Sequence, residues 1–315
     1  MKTKILAIVA GTALLGCALT ACSSSKSSSG GSTSGSSGST VASKLILGGA
    51  PEFKTRTDGV PGLTKVYGAT FGAYKTLDAG GPLTINALKN GQIDAGDIFT
   101  TDPSIKADNF VVLGDPKNLY TAQNVLPLIN KTKATAGVSQ VLNLISSKLD
   151  TTTLTGLDVK VISDKQDPDT VAQQWLGTLG LPSTKPAAGV SLTIGSANFQ
   201  ENVLLADIYA EALKGAGATV STKLNIGSRE TYIPGLKDGS IDLIPEYSGV
   251  LLQYFDKTAT AASSDDVLAA LKTALPAKLA VLDQSQAQDK DAIVVTAATA
   301  KKYNLATIAD LAKTS

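Results

Sequence analysis

The stretch Leu88-Lys-Asn-Gly-Gln-Ile-Asp94, followed by Phe99-Thr100, returns 148 residues later as Leu236-Lys-Asp-Gly-Ser-Ile-Asp242, followed by Tyr247-Ser248. In each copy the pattern predicts the end of a helix, a glycine turn at Gly91 or Gly239, and a short strand beginning at Ile93 or Ile241. Glycine supplies the left-handed residue that closes a helix, and the aromatic then falls near the carboxyl end of the strand. The interval is too long for a solenoid period and suits two α/β lobes. A second pair has nearly the same offset: Leu45-Ile-Leu-Gly48 before Phe53, and Leu192-Thr-Ile-Gly195 before Phe199. Ligands of open α/β sheets bind beyond the carboxyl ends of the strands, so two facing lobes would present Phe99 and Tyr247 to a shared cleft. A lone aromatic at a strand end is as often a core residue. Recurrence at matching positions, each followed by a hydroxyl residue, favours the cleft.

Around these copies the chain alternates short β-rich runs with helical patterns, as in a mainly parallel sheet covered by helices. The predicted strands are 44–48, 93–98, 110–113, 191–195, 219–224, 241–245 and 292–296. The predicted helices are 83–90, 136–148, 168–177, 201–214, 230–238, 265–274 and 306–313. Asp167-Pro168-Asp169 gives one helix a cap, a first-turn proline and an early negative charge; its Trp175 reads as core. Leu181-Pro-Ser-Thr-Lys-Pro-Ala-Ala-Gly189 reads as an internal linker, spanning 182–189.

Lys2 and Lys4 precede an apolar run from Ile5 to Leu19, the pattern of a secretory signal and short for a membrane span. Leu19-Thr-Ala-Cys22 resembles a bacterial lipobox, in which Cys22 would be lipidated and become the mature N-terminus; Leu14-Leu-Gly-Cys17 is a poorer second candidate. Residues 23–40, nearly all Ser and Gly, are expected to be a flexible tether, because they bury too little to offset ordering entropy. Both cysteines fall in the signal and lipobox, so the body has none to form a disulfide.

What is missing narrows the function. Histidine is absent altogether, which removes the commonest general base and metal ligand, and no phosphate-binding glycine loop or Gly-x-Ser-x-Gly elbow occurs. A formal net charge of +1 without a basic cluster offers no footprint for nucleic acid. The expectation is a binding protein with no cofactor and no metal, not an enzyme.

Ser191-Leu-Thr-Ile-Gly-Ser-Ala-Asn-Phe-Gln-Glu201, Asp242-Leu-Ile-Pro-Glu-Tyr-Ser-Gly249 and Pro51-Glu-Phe-Lys-Thr-Arg-Thr-Asp-Gly59 resemble the osmoprotectant-binding lipoproteins. These are the substrate-binding subunits of ABC importers for glycine betaine, choline, carnitine and related quaternary ammonium compounds. Leu77-Asp-Ala-Gly-Gly-Pro82, Phe99-Thr-Thr-Asp102 and Ala122-Gln-Asn-Val-Leu-Pro127 extend the resemblance over nearly all of 42–315. It implies an α/β, two-lobed fold of the periplasmic-binding-protein type II, with the ligand cleft between the lobes. It also implies a protein lipid-anchored on the extracytoplasmic face of the cell membrane, monomeric, that closes on its ligand and docks on an ABC permease with a cytoplasmic ATPase.

A quaternary ammonium has no N–H to donate and is recognised by electron-rich ring faces, each contributing about 0.5–2 kcal/mol. A ligand carboxylate wants Arg, amide or hydroxyl donors. The resemblance places Tyr247 in an aromatic cage, Arg56 at the carboxylate end and Asn198 near the first strand's tip; Phe99 stands where relatives often have Tyr, with Thr100 as a donor beside it. For Arg56 the competing reading is a surface salt bridge. Four positions depart from the family. Val250 replaces a frequent Thr or Asp, Gln123 and Asn124 lie where some relatives place a cage Tyr, and Asp291 lies where others have an aromatic. Amides in place of a ring suit a larger or more hydrogen-bonding betaine, or a weak general binder.

The order of the motifs also departs from the family, whose members run from the Ser-x-Thr-Ile-Gly-Ser strand through Pro-Glu-Tyr before reaching Pro-Glu-Phe-Lys-Thr-Arg. The chain reads as a circular permutant in which Ser315 would be followed by Val41. That predicts neighbouring Ser315 and Val41, a lobe made of 42–110 with 291–315, a second lobe of 115–290, and crossovers near 110–120 and 285–292. The alternatives are the same architecture binding another polar solute, such as an amino acid or an oxyanion, a sensor or adhesion lipoprotein without transport, or a secreted two-lobed enzyme.

Overall fold

The computed structural model describes residues 39–181 and 183–315. The expected signal, Cys22 and the tether as far as residue 38 lie outside the described residues. The last two residues assigned to the tether are tied down instead: Thr40 bridges Thr314, and the amide of Ser315 donates to the carbonyl of Ser39 at 3.0 Å. Pairing with the other end of the chain supplies the partners that composition alone did not reveal.

Among the described residues, ten strands form two five-stranded sheets. In chain order they are β1 (Ile46–Gly49), β2 (Ala73–Thr76), β3 (Ala95–Phe99), β4 (Phe110–Val112), β5 (Val125–Asn130), β6 (Ser191–Gly195), β7 (Thr219–Lys223), β8 (Leu243–Tyr247), β9 (Leu279–Val281) and β10 (Asp291–Thr296). One sheet has the order β2-β1-β3-β10-β4 and the other β7-β6-β8-β5-β9. Each begins with three parallel strands and continues with an antiparallel strand received from across the molecule. Sequence repetition and sheet order therefore agree: β1 corresponds to β6, β3 to β8, and β10 to β5.

The repeated turn has a physical explanation. Gly91 and Gly239 have φ of 67° and 86°, the left-handed region that glycine tolerates best. Ile93 and Ile241 are buried against the first strand of their sheet, and a Cβ on Gly48 or Gly195 would lie 2.7 Å and 3.0 Å from their Cδ1 atoms. Asp94 and Asp242 then accept the backbone N–H of Ile46 and Thr193, at 2.8 and 2.9 Å. Because these carboxylates tie down a neighbouring strand, β3 and β8 begin two residues later than the pattern predicts.

The predicted helices 136–148, 168–177, 201–214, 230–238 and 265–274 are present within one residue at either end, and Asp167 caps its helix by accepting the N–H of Thr170 at 2.9 Å. Trp175 lies in the core. Residues 306–313 form a 3₁₀ turn, Ile308–Ala312, rather than an α-helix. Strands β2, β5 and β9 were not expected. β5 carries Pro127 directly opposite Pro245 in β8. The Pro127 carbonyl accepts from Leu282 and the Pro245 carbonyl from the Asn202 side chain, so both prolines turn their polar atoms away from each other and no ladder bond between them is missing.

Two segments cross between the sheets, from β4 to β5 and from β9 to β10. They pair with each other: Asn124 bridges Gln288, and the amide of Asp289 donates to the carbonyl of Gln123 at 3.2 Å. The cleft opens beside this pair of crossings, at the carboxyl ends of β3 and β8.

Candidate ligand-binding cleft

A cavity of about 530 Å³ is lined from both sides of the cleft. Its apolar wall is a row of three rings. Phe99, at the end of β3, lies 4.9 Å between centroids from Phe199, which precedes helix Gln200–Gly215 in the other lobe. Phe199 is 6.0 Å from Tyr247 at the end of β8. The row therefore spans both lobes, and its faces offer the electron density that binds a cation lacking N–H donors.

Tyr247 is anchored from behind. Its hydroxyl donates to Glu201 Oε1 at 2.6 Å, and Thr101, from the other lobe, donates to Glu201 Oε2 at 2.6 Å. Burial, with Glu201 beside it, pushes the Tyr247 hydroxyl far above the usual phenol value, so it stays a donor at physiological pH. Asp158 is fully buried beside Glu201 with no hydrogen-bond partner on either oxygen, and burial followed by the Glu201 charge raises its pKa well above the ordinary carboxylate range. Asp289 is raised in the same way, burial first and Glu201 second.

A second assembly stiffens the adjoining wall. Arg229 donates from Nε to Glu246 Oε1 at 3.0 Å and from Nη2 to Oε2 at 2.7 Å. Glu246 also accepts the Tyr232 hydroxyl and the backbone N–H of Tyr247. This fully buried carboxylate is thus satisfied from four directions and fixes the backbone at the tip of β8.

The third wall is acidic. Arg56 lies over the Phe53 ring at 5.3 Å and donates from Nε to Asp58 and from Nη2 to Asp291, both at 2.6 Å. Asp97 stands on the same face of the sheet, because in the antiparallel pairing of β3 and β10 Asp97 opposes Ile293 while Asp291 opposes Phe99. Asp97 is raised well above the ordinary carboxylate range, first by burial and then by Asp291.

Of the residues expected at the site, Tyr247, Phe99, Arg56, Asn198 and Gln123 line the cavity. Gln123 also accepts the backbone N–H of Val250 at 2.9 Å through Oε1. Arg56 is not an exposed surface salt bridge: it is partly buried, and its Nε and Nη2 are engaged by two carboxylates of its own lobe. Thr100 and Asn124 do not line the cavity. Thr100 accepts the N–H of Lys290, and the Asn124 amide donates to the carbonyl of Ser285, so both serve the crossings. Alternation along the chain turns these two away while their neighbours Phe99 and Gln123 face the cleft. Sequence reasoning did not single out Phe199, Glu201, Arg229 or Asp97. Phe199 was visible only as the counterpart of Phe53, and Asp97 only as a residue two positions before Phe99, on the same side of a strand. Among the described residues no cluster of His, Cys, Asp and Glu is arranged to hold a metal ion.

Two sheets of matching topology around a cleft lined by rings and paired charges define a two-lobed α/β solute-binding protein. The chain belongs to the family of substrate-binding domains of ABC-type glycine betaine transport systems, whose profile matches residues 38–178 and 190–315. The family is one of binding proteins, not enzymes. A glycine-betaine-binding protein of Pseudomonas aeruginosa is 32% identical over 130 residues, 40% of this chain and 41% of that protein. An ergothioneine transport permease/ergothioneine binding protein, EgtU, of Helicobacter pylori is 30% identical over 132 residues, 41% of this chain and 24% of that protein. The match thus spans less than half the length of either curated relative. Among solved structures, an ancestral arginine-binding protein bound to arginine aligns with a TM-score of 0.43 and 14% identity, covering 85% of this chain and 90% of that one.

Proposed function

We propose that this protein captures a quaternary ammonium compound of the betaine, choline or carnitine type in the cleft, closes on it, and delivers it to an ABC permease on the extracytoplasmic side of the membrane. The observation that carries the reading is the row Phe99, Phe199 and Tyr247, with one ring from one lobe and two from the other. A ligand held between such faces touches both lobes and stabilises closure by its differential affinity for the closed state. The names of the two relatives, one for glycine betaine and one for ergothioneine, a betaine of histidine type, are consistent with it.

Anchoring through Cys22, a monomeric state and the permuted chain order belong to the same proposal. The permuted order is supported by the ends of the described chain, where the amide of Val41 donates to the carbonyl of Lys313 at 2.9 Å. Among the described residues no helix is long and apolar enough to cross a membrane. Isothermal titration with choline, glycine betaine, carnitine and ergothioneine tests the reading. Saturable binding to at least one, weakened about 30-fold or more in Tyr247→Ala, is the expected result. Heat from an amino acid or oxyanion, and none from these four compounds, would replace it with the polar-solute reading.

A further inference from the structure

A second cavity, of about 480 Å³, lies between the lobes. Pro82, Ile85 and Asp102 line it from the lobe of β1, and Ile162, Lys165 and Asn225 from the lobe of β6. Like the first, it has the volume of a small-molecule site, about 300–1,000 Å³. Four residues line both cavities, two from each lobe: Ala79 and Phe99, and Asn198 and Phe199. The Phe99–Phe199 ring pair, with centroids 4.9 Å apart, is therefore what divides one space from the other.

Both leaves of this partition are fixed from behind. Asp78 accepts the N–H groups of Leu83 and Thr84 at 2.9 and 2.8 Å, which pins the turn that carries Ala79 and Gly80. Gly80 has φ of 62° and packs so closely on Phe99 that a Cβ there would stand 3.0 Å from the ring's Cδ2. On the other leaf, buried Asn202 accepts the N–H of Ala197 at 2.7 Å and donates to the carbonyl of Pro245 at 3.0 Å, which holds the segment leading into Phe199. Rings held in this way form a wall rather than a swinging gate, because displacing either one strains packing that has little slack.

Resting on the quaternary ammonium reading of the first cavity, we propose that Phe99 and Phe199 set the largest head group the protein accepts. Methyl groups on the nitrogen fit against the ring faces. A longer N-substituent meets the partition, and the space it needs lies on the far side. Each lobe supplies one leaf, so the wall is complete only when the lobes meet, and a bulky head is rejected at closure rather than at first contact. Discrimination then falls on the nitrogen substituents, whatever the tail.

Isothermal titration with matched pairs tests this: choline, glycine betaine and carnitine, each beside the analogue in which benzyl replaces one N-methyl. The benzyl compound should bind about tenfold or more weaker than its trimethyl parent, the order of cost of overpacking a rigid site. Phe199→Ala joins the two cavities, and the gap should close to within about threefold, with the benzyl compound gaining affinity even as the trimethyl parent loses a ring face. Phe199→Leu, which keeps apolar bulk and removes the ring, should narrow the gap by about threefold or more, and decides the matter if the Ala variant fails to fold. Tyr254 lines the first cavity alone, so Tyr254→Ala should leave the gap as it is. A gap below about tenfold in the unsubstituted protein, a gap that persists in the Phe199 variants, or an equal rescue by Tyr254→Ala overturns the partition and leaves the quaternary reading standing. No binding of any trimethyl parent overturns the quaternary reading, and this inference with it.

Discussion

At the scale of single residues the site turns on Glu201, which joins a cleft ring to the opposite lobe. A carboxylate accepts both the Tyr247 and the Thr101 hydroxyls at once. Glutamine in its place would present only one acceptor oxygen to two buried donors. Glu201→Gln is therefore expected to cost about 1–3 kcal/mol of stability in urea denaturation. Tyr247→Phe keeps the ring and removes only the hydroxyl; it should lower stability by about 1 kcal/mol while leaving quaternary ammonium affinity within about threefold, read by calorimetry. Beside Glu201, Asp158 has a folded pKa raised above its unfolded value by burial and by Glu201. The folded state then binds more protons than the unfolded state as pH rises beyond about 4, so stability is greatest at acidic pH and declines toward the raised folded pKa. Melting temperatures should fall between pH 5 and pH 8, and Asp158→Asn, which has no proton to lose, should flatten that fall. A fall of the same size in Asp158→Asn as in the parent protein would show that other raised carboxyls, Asp97 and Asp289 among them, carry the dependence.

At the scale of elements, the legible parts of the chain were those whose signals are local. A left-handed glycine, a buried isoleucine and a strand-tying aspartate lie within four residues of each other, and the same set occurs in both lobes. The matching hydrogen bonds of Asp94 to Ile46 and of Asp242 to Thr193 give this reading a quantitative consequence. Asp94→Ala and Asp242→Ala should each cost about 1–2 kcal/mol, whereas Asn at either position, which can still accept the N–H, should cost less. Equal losses for Ala and Asn would mean that charge, not the bond, matters there. Strand β5 was illegible because a proline inside an apolar run argues against a central strand, and only the pairing with Pro245, more than a hundred residues away, makes Pro127 harmless. The clustering of Arg56 with Asp58, Asp97 and Asp291 was hidden for the same reason: Asp291 reaches Arg56 only through the antiparallel entry of β10, a long-range event that no window of sequence contains.

At the scale of the whole molecule, each sheet takes one strand from across the crossings, and the described ends of the chain meet inside the lobe built on β1. Thr40 and Thr314 pair antiparallel, with Ser39 opposite Ser315, so a two-residue Asn-Gly turn from Ser315 to Ser39 would close them as a hairpin. New ends can be opened where the linker is exposed, at Ser183 and Thr184. The segment just beyond must stay intact, because the carbonyl of Pro186 packs where a Cβ on Gly137 would stand, and the amide of Ala187 donates to the carbonyl of Ala216. On the permuted reading proposed above, a rearranged chain running from Thr184 to Ser315, through the turn, and from Ser39 to Ser183 would have the motif order of the family. The cleft residues and both crossings are untouched by that change, so cavity chemistry is conserved while only loop closure differs, and lengthening or shortening a closed loop alters entropy slowly. The rearranged protein should melt within a few degrees of the original and bind the same probe with the same affinity, as followed by circular dichroism and calorimetry. A chain that folds but loses the probe would show that the joined ends hold the lobes in their binding arrangement, and that the order of the motifs is part of the site.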